Sequence, residues 1–218
     1  MDSDSPQSRP PQQLVQEGYD AMAKEYLKWA TQKQTPREDK IKHLLGELKK
    51  QDATILELGC GAGIPGTQLL AQQCQKVIAN DISEAQILSA KTALAQFDNV
   101  EFVHGDMMAL AFEPATLNAI VALYSLFHLP RDEQKIMVQK LFSWLAPTGM
   151  LLCNLGVAND PGSVSDWLGT KMFWSQFDAA TNLEIIRQAG FEVVSQEIIE
   201  EMENGRLIPF QWIVARKH

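Results

Sequence analysis

The sequence has 218 residues, of which 45% are hydrophobic, so it is long and apolar enough for one domain with a full core. Its 27 acidic residues outnumber its 19 basic residues and give a formal net charge of −8. Because proteins that bind nucleic acids rely on basic surfaces, this balance argues against a nucleic-acid partner. The sequence contains no run of about 18 apolar residues, so we expect no membrane span.

Residues 1–12 are rich in Ser, Pro and Gln, and this composition predicts a disordered tail before a single domain at 13–218. The tail has the features of neither a signal peptide nor a basic transit sequence. The three cysteines, Cys60, Cys74 and Cys153, are widely spaced and odd in number, which argues against a disulfide framework or a zinc site. Free thiols are typical of a reducing compartment, so we expect a cytoplasmic protein.

Two amphipathic helices are predicted within 13–50. Apolar and aromatic side chains recur at steps of three and four in the first helix, at Val15, Tyr19, Met22, Tyr26 and Trp29. Pro36 opens the second helix, whose predicted buried face consists of Ile41, Leu44, Leu45 and Leu48.

Beyond residue 50, short apolar runs with strand character alternate with longer helical segments. The predicted strands are 54–58, 77–80, 100–103, 119–123 and 150–154. The predicted helices between them are 66–73, 84–96 and 133–145. Such alternation is typical of right-handed βαβ units, so the predicted fold class is α/β with a doubly wound parallel sheet.

The C-terminal third departs from this alternation. Residues 157–177 are rich in Gly, Ser and aromatic side chains and are too long for an ordinary loop, so we expect an aromatic lid. A helix is predicted at 179–189. Two segments with a strand pattern, 192–199 and 207–215, flank a polar Asn-Gly turn, which predicts an antiparallel hairpin at the end of the chain.

The first predicted strand leads into a glycine-rich turn that has two interpretations. Residues 61–66 match the dinucleotide fingerprint G-x-G-x-x-G, with Asp81 about twenty residues further on. The longer segment 57–63 matches the turn that binds a methyl donor. In both cases glycines let the backbone approach a ligand, and the following helix N-terminus offers unpaired N–H groups. Both interpretations also place Asp81 at a strand tip, where its carboxylate accepts ribose hydroxyls.

Two further features favour the methyl donor. Asp106 follows the third strand, where a carboxylate can accept a hydrogen bond from an adenine amino group while Met107 packs beside the ring. A dinucleotide-binding enzyme has no particular need for an acid at this position. The closing hairpin also lacks a counterpart in the common dehydrogenase sheet.

With these motifs, the chain resembles the class I S-adenosylmethionine-dependent methyltransferases over about 19–216. The motifs that carry the resemblance are 57–63, Asp81, 105–107, 122–130 and 147–149. The resemblance implies a Rossmann-like sheet of seven strands in the order 3-2-1-4-5-7-6, with the last strand antiparallel. It also implies lid helices at the N-terminus.

The resemblance implies roles for individual residues. Those expected to hold the methionine portion of S-adenosylmethionine are Glu57, Gly59, Cys60, Gly61 and Gly63. Asp81 is expected to hold the ribose, and Asp106 and Met107 the adenine. Ile82 and Leu123 are further residues expected to bind the cofactor. Tyr19 and Tyr26 are similar to lid tyrosines that cover the sulfonium or the methionine carboxylate. A ring face near the sulfonium is worth about 0.5–2 kcal/mol. Packing in the core of an amphipathic helix is the alternative for both.

Missing motifs narrow the resemblance. No Asn/Asp-Pro-Pro-Tyr/Phe segment follows the fourth strand, as it does in amino-directed nucleic-acid and glutamine methyltransferases. No acidic pair of the arginine-methylating type is present. No carboxylate lies in 122–129, where the metal-dependent catechol type places a magnesium ligand, so no metal is expected. With these subfamilies set aside, the sequence is similar to the small-molecule methyltransferases of menaquinone, sterol and secondary-metabolite pathways.

The resemblance implies methyl transfer to a small, largely apolar or aromatic acceptor by in-line displacement. The predicted pocket side chains are Tyr124, Trp167, Phe173, Trp174 and Trp212. His128 is the candidate catalytic residue, as a base or to orient the acceptor, with fastening of its loop as the alternative. A cyclase, decarboxylase or isomerase that retains the cofactor is the alternative function. The sequence leaves open O-, N-, S- or C-methylation and whether the protein is a monomer or a homodimer.

Overall fold

The structure, a computed structural model, describes residues 9–33, 35–48, 52–203 and 205–218. Its helices are α1 Pro11–Gln32, α2 Arg37–Leu48, α3 Gly66–Gln73, α4 Glu84–Ala93, α5 Arg131–Trp144 and α6 Ala179–Gln188. Its strands are β1 Thr54–Leu58, β2 Lys76–Asp81, β3 Val100–His104, β4 Leu117–Ala122, β5 Leu145–Gly156, β6 Ser163–Trp167, β7 Thr170–Trp174, β8 Glu192–Glu203 and β9 Arg206–Arg216. Within the described ranges, no helix is both long and apolar enough to cross a membrane.

In the described part of the chain, seven strands form one sheet in the order β3-β2-β1-β4-β5-β9-β8. The strands β1 to β5 are parallel to one another. Strand β9 is antiparallel to both β5 and β8. The predicted fold class, sheet order and closing hairpin are therefore confirmed. The strands β6 and β7 form a separate antiparallel hairpin.

The central strands are buried on both faces, and alternation along β1 divides the core into two layers. Leu56 and Leu58 pack with α5 and α6, whereas Ile55 packs with α2 and α3 on the opposite face. All three side chains are fully buried. Since helices cover both faces, the carboxyl ends of the parallel strands form the edge where ligands bind in this architecture.

The N-terminus differs from the prediction. Helix α1 begins at Pro11, so residues 11 and 12 of the predicted disordered tail are helical. Proline fits this first turn because its φ is already helical and its missing N–H would have no partner there. Leu14 and Val15 are buried and anchor the turn. Residues 1–8 of the predicted tail, and Asn204 of the predicted hairpin turn, lie outside the described residues.

The predicted lid segment contains the β6–β7 hairpin, which packs against α1. Val15 and Met22 of α1 contact Met172 of β7 in one apolar cluster. Gly18 allows the two elements to approach, since a Cβ added there would collide with Met172 Sδ. Helix α1 and the hairpin together form one layer, called the cover below.

Candidate active site

The turn after β1 depends on its glycines. Gly59 and Gly61 have φ values of 74° and 56°, which side chains disfavour. A Cβ added at Gly59 would lie 2.6 Å from Ser125 Cβ, too close for any side chain. Gly63 has another role: its added Cβ would lie 2.6 Å from Leu94 Cδ1, so this glycine lets α4 pack against the turn.

Asp81 ends β2 and joins it to the turn. Its Oδ2 accepts a hydrogen bond from the Gly61 N–H at 2.8 Å, and its Oδ1 accepts one from the Ser83 N–H at 2.9 Å. Burial raises the pKa of Asp81 to about 6, although these two hydrogen bonds oppose the shift. Each oxygen keeps a lone pair for a second donor. Asp81 thus presents two acceptors to a cavity of about 50 Å³, called the turn cavity below.

Ile82, Asp106 and Met107 also line the turn cavity. Asp106 Oδ1 accepts a hydrogen bond from the Met108 N–H at 2.8 Å and caps the short 3₁₀ helix Met107–Ala109. Gly105 precedes this cap with a φ of 142°, and no atom lies within 4 Å of a Cβ added there. The ends of β2 and β3 therefore bring the residues predicted for the ribose and the adenine to one wall.

A second, smaller cavity lies beside the glycine turn, and its lining includes Glu57, Cys60 and Leu123. Glu57 Oε2 accepts a hydrogen bond from the Thr67 hydroxyl at 2.6 Å. Burial raises the pKa of Glu57 to about 7. Burial also raises the pKa of the Cys60 thiol, so Cys60 stays protonated and is not a nucleophile.

Arg37, the first residue of α2, lines the same smaller cavity and is absent from the residues predicted from the sequence. Its Nε atom is buried without a hydrogen-bond partner. Its guanidinium carbon lies 4.8 Å from the centre of the Tyr124 ring. A cation at a helix N-terminus opposes the helix dipole, so a basic residue directly after Pro36 was the available sequence signal. Arg37 and Glu57 give this cavity one positive and one negative group.

Tyr19 and Tyr26 of the cover meet at the turn cavity, with ring centres 5.3 Å apart. The Tyr26 ring lies over the turn, where its Cε1 is 3.3 Å from a Cβ added at Gly61. Burial raises the pKa of both phenols, so both stay protonated. A cavity of about 50 Å³ holds one or two water molecules, so a ligand of nucleoside size requires α1 or its rings to move.

His128 connects the two parts of the cover. Its Nδ1 lies 2.9 Å from the carbonyl oxygen of Phe173, and its Nε2 lies 3.0 Å from the Tyr19 hydroxyl. Because a carbonyl only accepts, Nδ1 carries the proton and Nε2 accepts the hydrogen bond of Tyr19. Burial lowers the pKa of His128 to about 4, so the ring is neutral. Both ring nitrogens are engaged in holding Tyr19 of α1 to β7.

A larger cavity of about 530 Å³, called the aromatic pocket below, lies under the cover. Of the predicted pocket residues, Tyr124, Trp167 and Trp174 line it. Phe173 and Trp212 do not line it. Phe173 lies between Met172 and Trp174 and points to the other side of β7. Trp212 is buried in a core cluster on the inner strand β9. Two rings that were not predicted for the pocket, Trp29 and Phe127, also line it.

Tyr19, Tyr26 and Tyr124 line both the turn cavity and the aromatic pocket, so the two cavities meet at these rings. Tyr124 has a φ of 54°, a strained conformation for a tyrosine. Its N–H donates to Asn154 Oδ1 at 2.6 Å, and its hydroxyl donates to Glu201 Oε2 at 2.8 Å. Hydrogen bonds at both ends of the residue thus hold the ring at the junction.

Among the described residues, no group of three or more His, Cys, Asp or Glu side chains is arranged to hold a metal ion. The groups that meet at the junction are instead phenols, one neutral imidazole and isolated carboxylates. Such groups bind and orient organic ligands.

Comparison with known proteins gives a domain match over part of the chain and a fold. Residues 55–149 match the family described as "Methyltransferase domain". Malonyl-[acyl-carrier protein] O-methyltransferase of Priestia megaterium is 30% identical over 146 residues, which make up 64% of this chain and 50% of that protein. The solved structure of 1,6-didemethyltoxoflavin-N1-methyltransferase from Burkholderia thailandensis, with bound 1,6-didemethyltoxoflavin and S-adenosylhomocysteine, has a TM-score of 0.75 at 18% identity and covers 98% of this chain and 92% of its own. The solved structure of the [4+2]-cyclase SpnF has a TM-score of 0.62 at 18% identity and covers 80% of each chain.

The chain spans about half the length, or less, of the curated relatives it matches. At 18% identity the two solved structures show the fold alone. The family match at 55–149 includes the glycine turn, Asp81 and Asp106. The family match, the sheet order and the residues gathered at the turn agree. The chain thus carries a methyltransferase domain at 55–149, in a sheet with the strand order that the resemblance to class I S-adenosylmethionine-dependent methyltransferases implies.

Proposed function

We propose that the chain binds S-adenosylmethionine at the glycine turn and transfers its methyl group to a small acceptor in the aromatic pocket. When bound, this cofactor supplies an activated methyl group on a positively charged sulfur. The observation that carries the proposal is the junction at Tyr19, Tyr26 and Tyr124. There the cavity that contains Asp81 meets a pocket of about 530 Å³ whose lining combines eight aromatic rings with charged and polar side chains.

The chemistry of the walls fits the parts of the cofactor. Its methionine portion carries a carboxylate and an ammonium group, and the smaller cavity offers the unpaired Arg37 Nε and the Glu57 carboxyl. Hydrogen bonds between charged groups of this kind are about twice as strong as neutral ones. Asp81 would accept the ribose hydroxyls and Asp106 an adenine amino group, with Met107 beside the ring.

The remaining work of the chain is orientation and exclusion of water. In-line displacement at a sulfonium requires the acceptor atom to be aligned, and a base only when the acceptor must lose a proton. The cover closes the junction, and the rings of Tyr19 and Tyr26 favour a nearby cation. In this proposal His128 is a positioning residue that holds Tyr19 in place.

Formation of S-adenosylhomocysteine separates methyl transfer from the alternative, a cyclase, decarboxylase or isomerase that retains the cofactor. The purified chain is incubated with methyl-labelled S-adenosylmethionine and a panel of small aromatic acceptors. We expect one S-adenosylhomocysteine for each labelled product. Conversion of an acceptor while S-adenosylmethionine stays intact would favour the alternative.

Binding of S-adenosylhomocysteine is expected to weaken as the pH falls from about 8 to about 5. The ammonium and the ribose hydroxyls of the ligand favour ionised Glu57 and Asp81, whose pKa values burial raises to about 7 and about 6. Below these values the carboxyls must lose protons on binding, so each group raises the dissociation constant by up to about tenfold per pH unit. Calorimetric titration measures this, and a constant affinity across the range would contradict it.

The stability of the ligand-free protein is expected to change in the opposite direction. With raised pKa values, Glu57 and Asp81 keep protons in the folded protein that the unfolded chain has already released. Their contribution to stability is complete below about pH 4 and is lost as the pH rises through about 6 and about 7. The double variant Glu57→Gln, Asp81→Asn removes both titrations. Comparing its thermal unfolding with that of the wild type isolates the contribution of these two carboxyls to the pH dependence of stability. Identical pH profiles for the two proteins would contradict buried titrating carboxyls.

His128 is expected to stay neutral down to about pH 5. Burial lowers its pKa to about 4, although the hydrogen bond to the Phe173 carbonyl opposes this. NMR signals of the ring, assigned by their loss in His128→Gln, are followed from pH 8 to pH 5. Constant chemical shifts agree with a neutral ring that positions Tyr19. A titration midpoint near 6.5 would contradict this and favour a general base.

A further inference from the structure

The ammonium group of Lys33 already lies beside several rings of the aromatic pocket. Its Nζ lies 4.8 Å from the centre of the Trp29 ring, 5.3 Å from that of Tyr124 and 5.8 Å from that of Phe210. The Lys33 side chain is only 8% exposed. The ring faces of the pocket are thus arranged to stabilise positive charge away from water.

Two carboxylates face this single ammonium. Lys33 Nζ lies 3.1 Å from Glu201 Oε2 and is also hydrogen bonded to Glu203. Glu201 is nearly buried and also accepts hydrogen bonds from the Tyr124 hydroxyl at 2.8 Å and from the Trp212 indole N–H at 3.2 Å. The cluster of Lys33, Glu201 and Glu203 therefore has one negative charge in excess, and a second cation beside the rings would balance it.

When the cofactor is bound, the charges elsewhere around the pocket leave this excess in place. Asp166 lies at the rim, where Lys171 pairs with it at 2.7 Å. Arg206, also at the rim, is exposed and therefore well screened by water. Arg37 lines both the aromatic pocket and the smaller cavity, with its guanidinium carbon 4.8 Å from the centre of the Tyr124 ring. In the proposed function the carboxylate of the cofactor would neutralise this second cation. The net field of the occupied site then favours a cation over an anion in the pocket.

The groups at the junction that could take a proton from an acceptor are already engaged. The Tyr19 hydroxyl donates to His128, and the other ring nitrogen of His128 donates to the Phe173 carbonyl. The Tyr124 hydroxyl donates to Glu201. This arrangement suits an acceptor atom that attacks without first losing a proton.

We propose that the acceptor is a nitrogen base, a ring nitrogen or tertiary amine that is neutral before methyl transfer and cationic after it. This inference rests on the proposed function and names the substrate class of the same site. The nitrogen lone pair forms the new N–C bond, and the electrons of the broken C–S bond stay on sulfur. The positive charge passes from sulfur to nitrogen, and no proton is released. The rings around Lys33 and the excess carboxylate stabilise the charge where it arrives.

The test compares three planar probes of similar size in the presence of saturating S-adenosylhomocysteine. They are the cation 1-methylquinolinium, its neutral isostere 1-methylnaphthalene and the anion 1-naphthoate. Quenching of tryptophan fluorescence reports binding, since Trp29, Trp167 and Trp174 line the pocket. We expect the cation to bind at least about tenfold more tightly than the isostere. Equal binding of the isostere, or tightest binding of the anion, would overturn the proposal.

Glu203→Gln tests the source of the preference. Removing this charge is expected to lower the ratio of cation to isostere affinity by about threefold or more, without changing affinity for S-adenosylhomocysteine. Asp166→Asn is the matched control, since that exposed carboxylate is paired with Lys171 and should leave the ratio unchanged. An unchanged ratio in Glu203→Gln would overturn the role given to the excess carboxylate.

Calorimetry without probes distinguishes the two proposals. Failure to bind S-adenosylhomocysteine would overturn the proposed function. Normal binding of S-adenosylhomocysteine without a preference for the cation would overturn this inference alone.

Discussion

Replacing Asp81 with alanine is expected to weaken binding of S-adenosylhomocysteine by about 100-fold or more. Hydrogen bonds to a charged partner contribute about 1.5–3 kcal/mol each, and the carboxylate would lose two ribose hydroxyls. The variant also removes the acceptors of the Gly61 and Ser83 N–H groups, which set the shape of the turn. Calorimetric titration of the purified variant measures the loss.

Two further variants make the Asp81 result specific. Asp98→Ala removes an exposed carboxylate from the loop before β3 and should bind S-adenosylhomocysteine like the wild type. Asp81→Asn keeps the size of the side chain but not its charge, so we expect an intermediate affinity. Thermal unfolding without ligand shows whether Asp81→Ala is folded. A folded Asp81→Ala with wild-type affinity would exclude Asp81 from the cofactor site.

Arg37→Leu is expected to weaken binding of S-adenosylhomocysteine by about 30-fold or more, because removing one partner of a buried charged pair costs about 2–5 kcal/mol. The effect should depend on the amino-acid part of the ligand. 5′-Methylthioadenosine lacks the carboxylate assigned to Arg37, so its affinity should stay within about twofold of the wild-type value. The comparison of the two ligands in one variant separates a lost contact from a damaged fold.

Arg206→Leu is the matched control for Arg37, because Arg206 is an exposed arginine at the rim of the aromatic pocket. It should leave both ligands unaffected. Equal weakening of S-adenosylhomocysteine and 5′-methylthioadenosine in Arg37→Leu would point to a structural role for Arg37. Unchanged binding of both would exclude Arg37 from the site.

The sheet was predictable because the apolar sequence of each buried strand identifies it without knowledge of its neighbours. Leu56, Leu58 and Ile55 are buried on alternate faces of one strand, and a parallel strand covered on both sides reads as an apolar run. The predicted ends of the elements were less accurate. The helix predicted to end at residue 96 ends at Ala93. A turn follows, closed by the hydrogen bond from the Phe97 N–H to the Leu94 carbonyl.

The hairpin in the lid segment could not be predicted from its turn. Leu168 and Gly169 have φ values of 47° and 83°. A tight hairpin turn with two positive φ values usually contains Asn, Asp or Gly at its first position, and leucine there gives no such signal. The pairing is stabilised instead by contacts with α1, such as that of Met172 with Met22, which sequence patterns do not contain.

In the site, too, local motifs identify some residues, whereas tertiary packing alone brings others into place. The turn residues Gly59 and Gly61 and the strand-end acid Asp81 are close in sequence to the elements that position them, so local motifs identify them. Arg37 reaches the smaller cavity from another helix, and Lys33 meets Glu201 across a separation of 168 positions that only folding closes. Contacts of this kind are products of tertiary packing, so they were absent from the sequence-based prediction.

The central claim is that the glycine turn binds S-adenosylmethionine. Its most direct test is a calorimetric comparison of S-adenosylhomocysteine with NAD⁺, because residues 61–66 of the turn also match the dinucleotide fingerprint. We expect saturable binding of one S-adenosylhomocysteine per chain and no detectable heat from NAD⁺ under the same conditions. Binding of NAD⁺ without binding of S-adenosylhomocysteine would contradict the assignment of the turn, and with it the proposed methyl transfer.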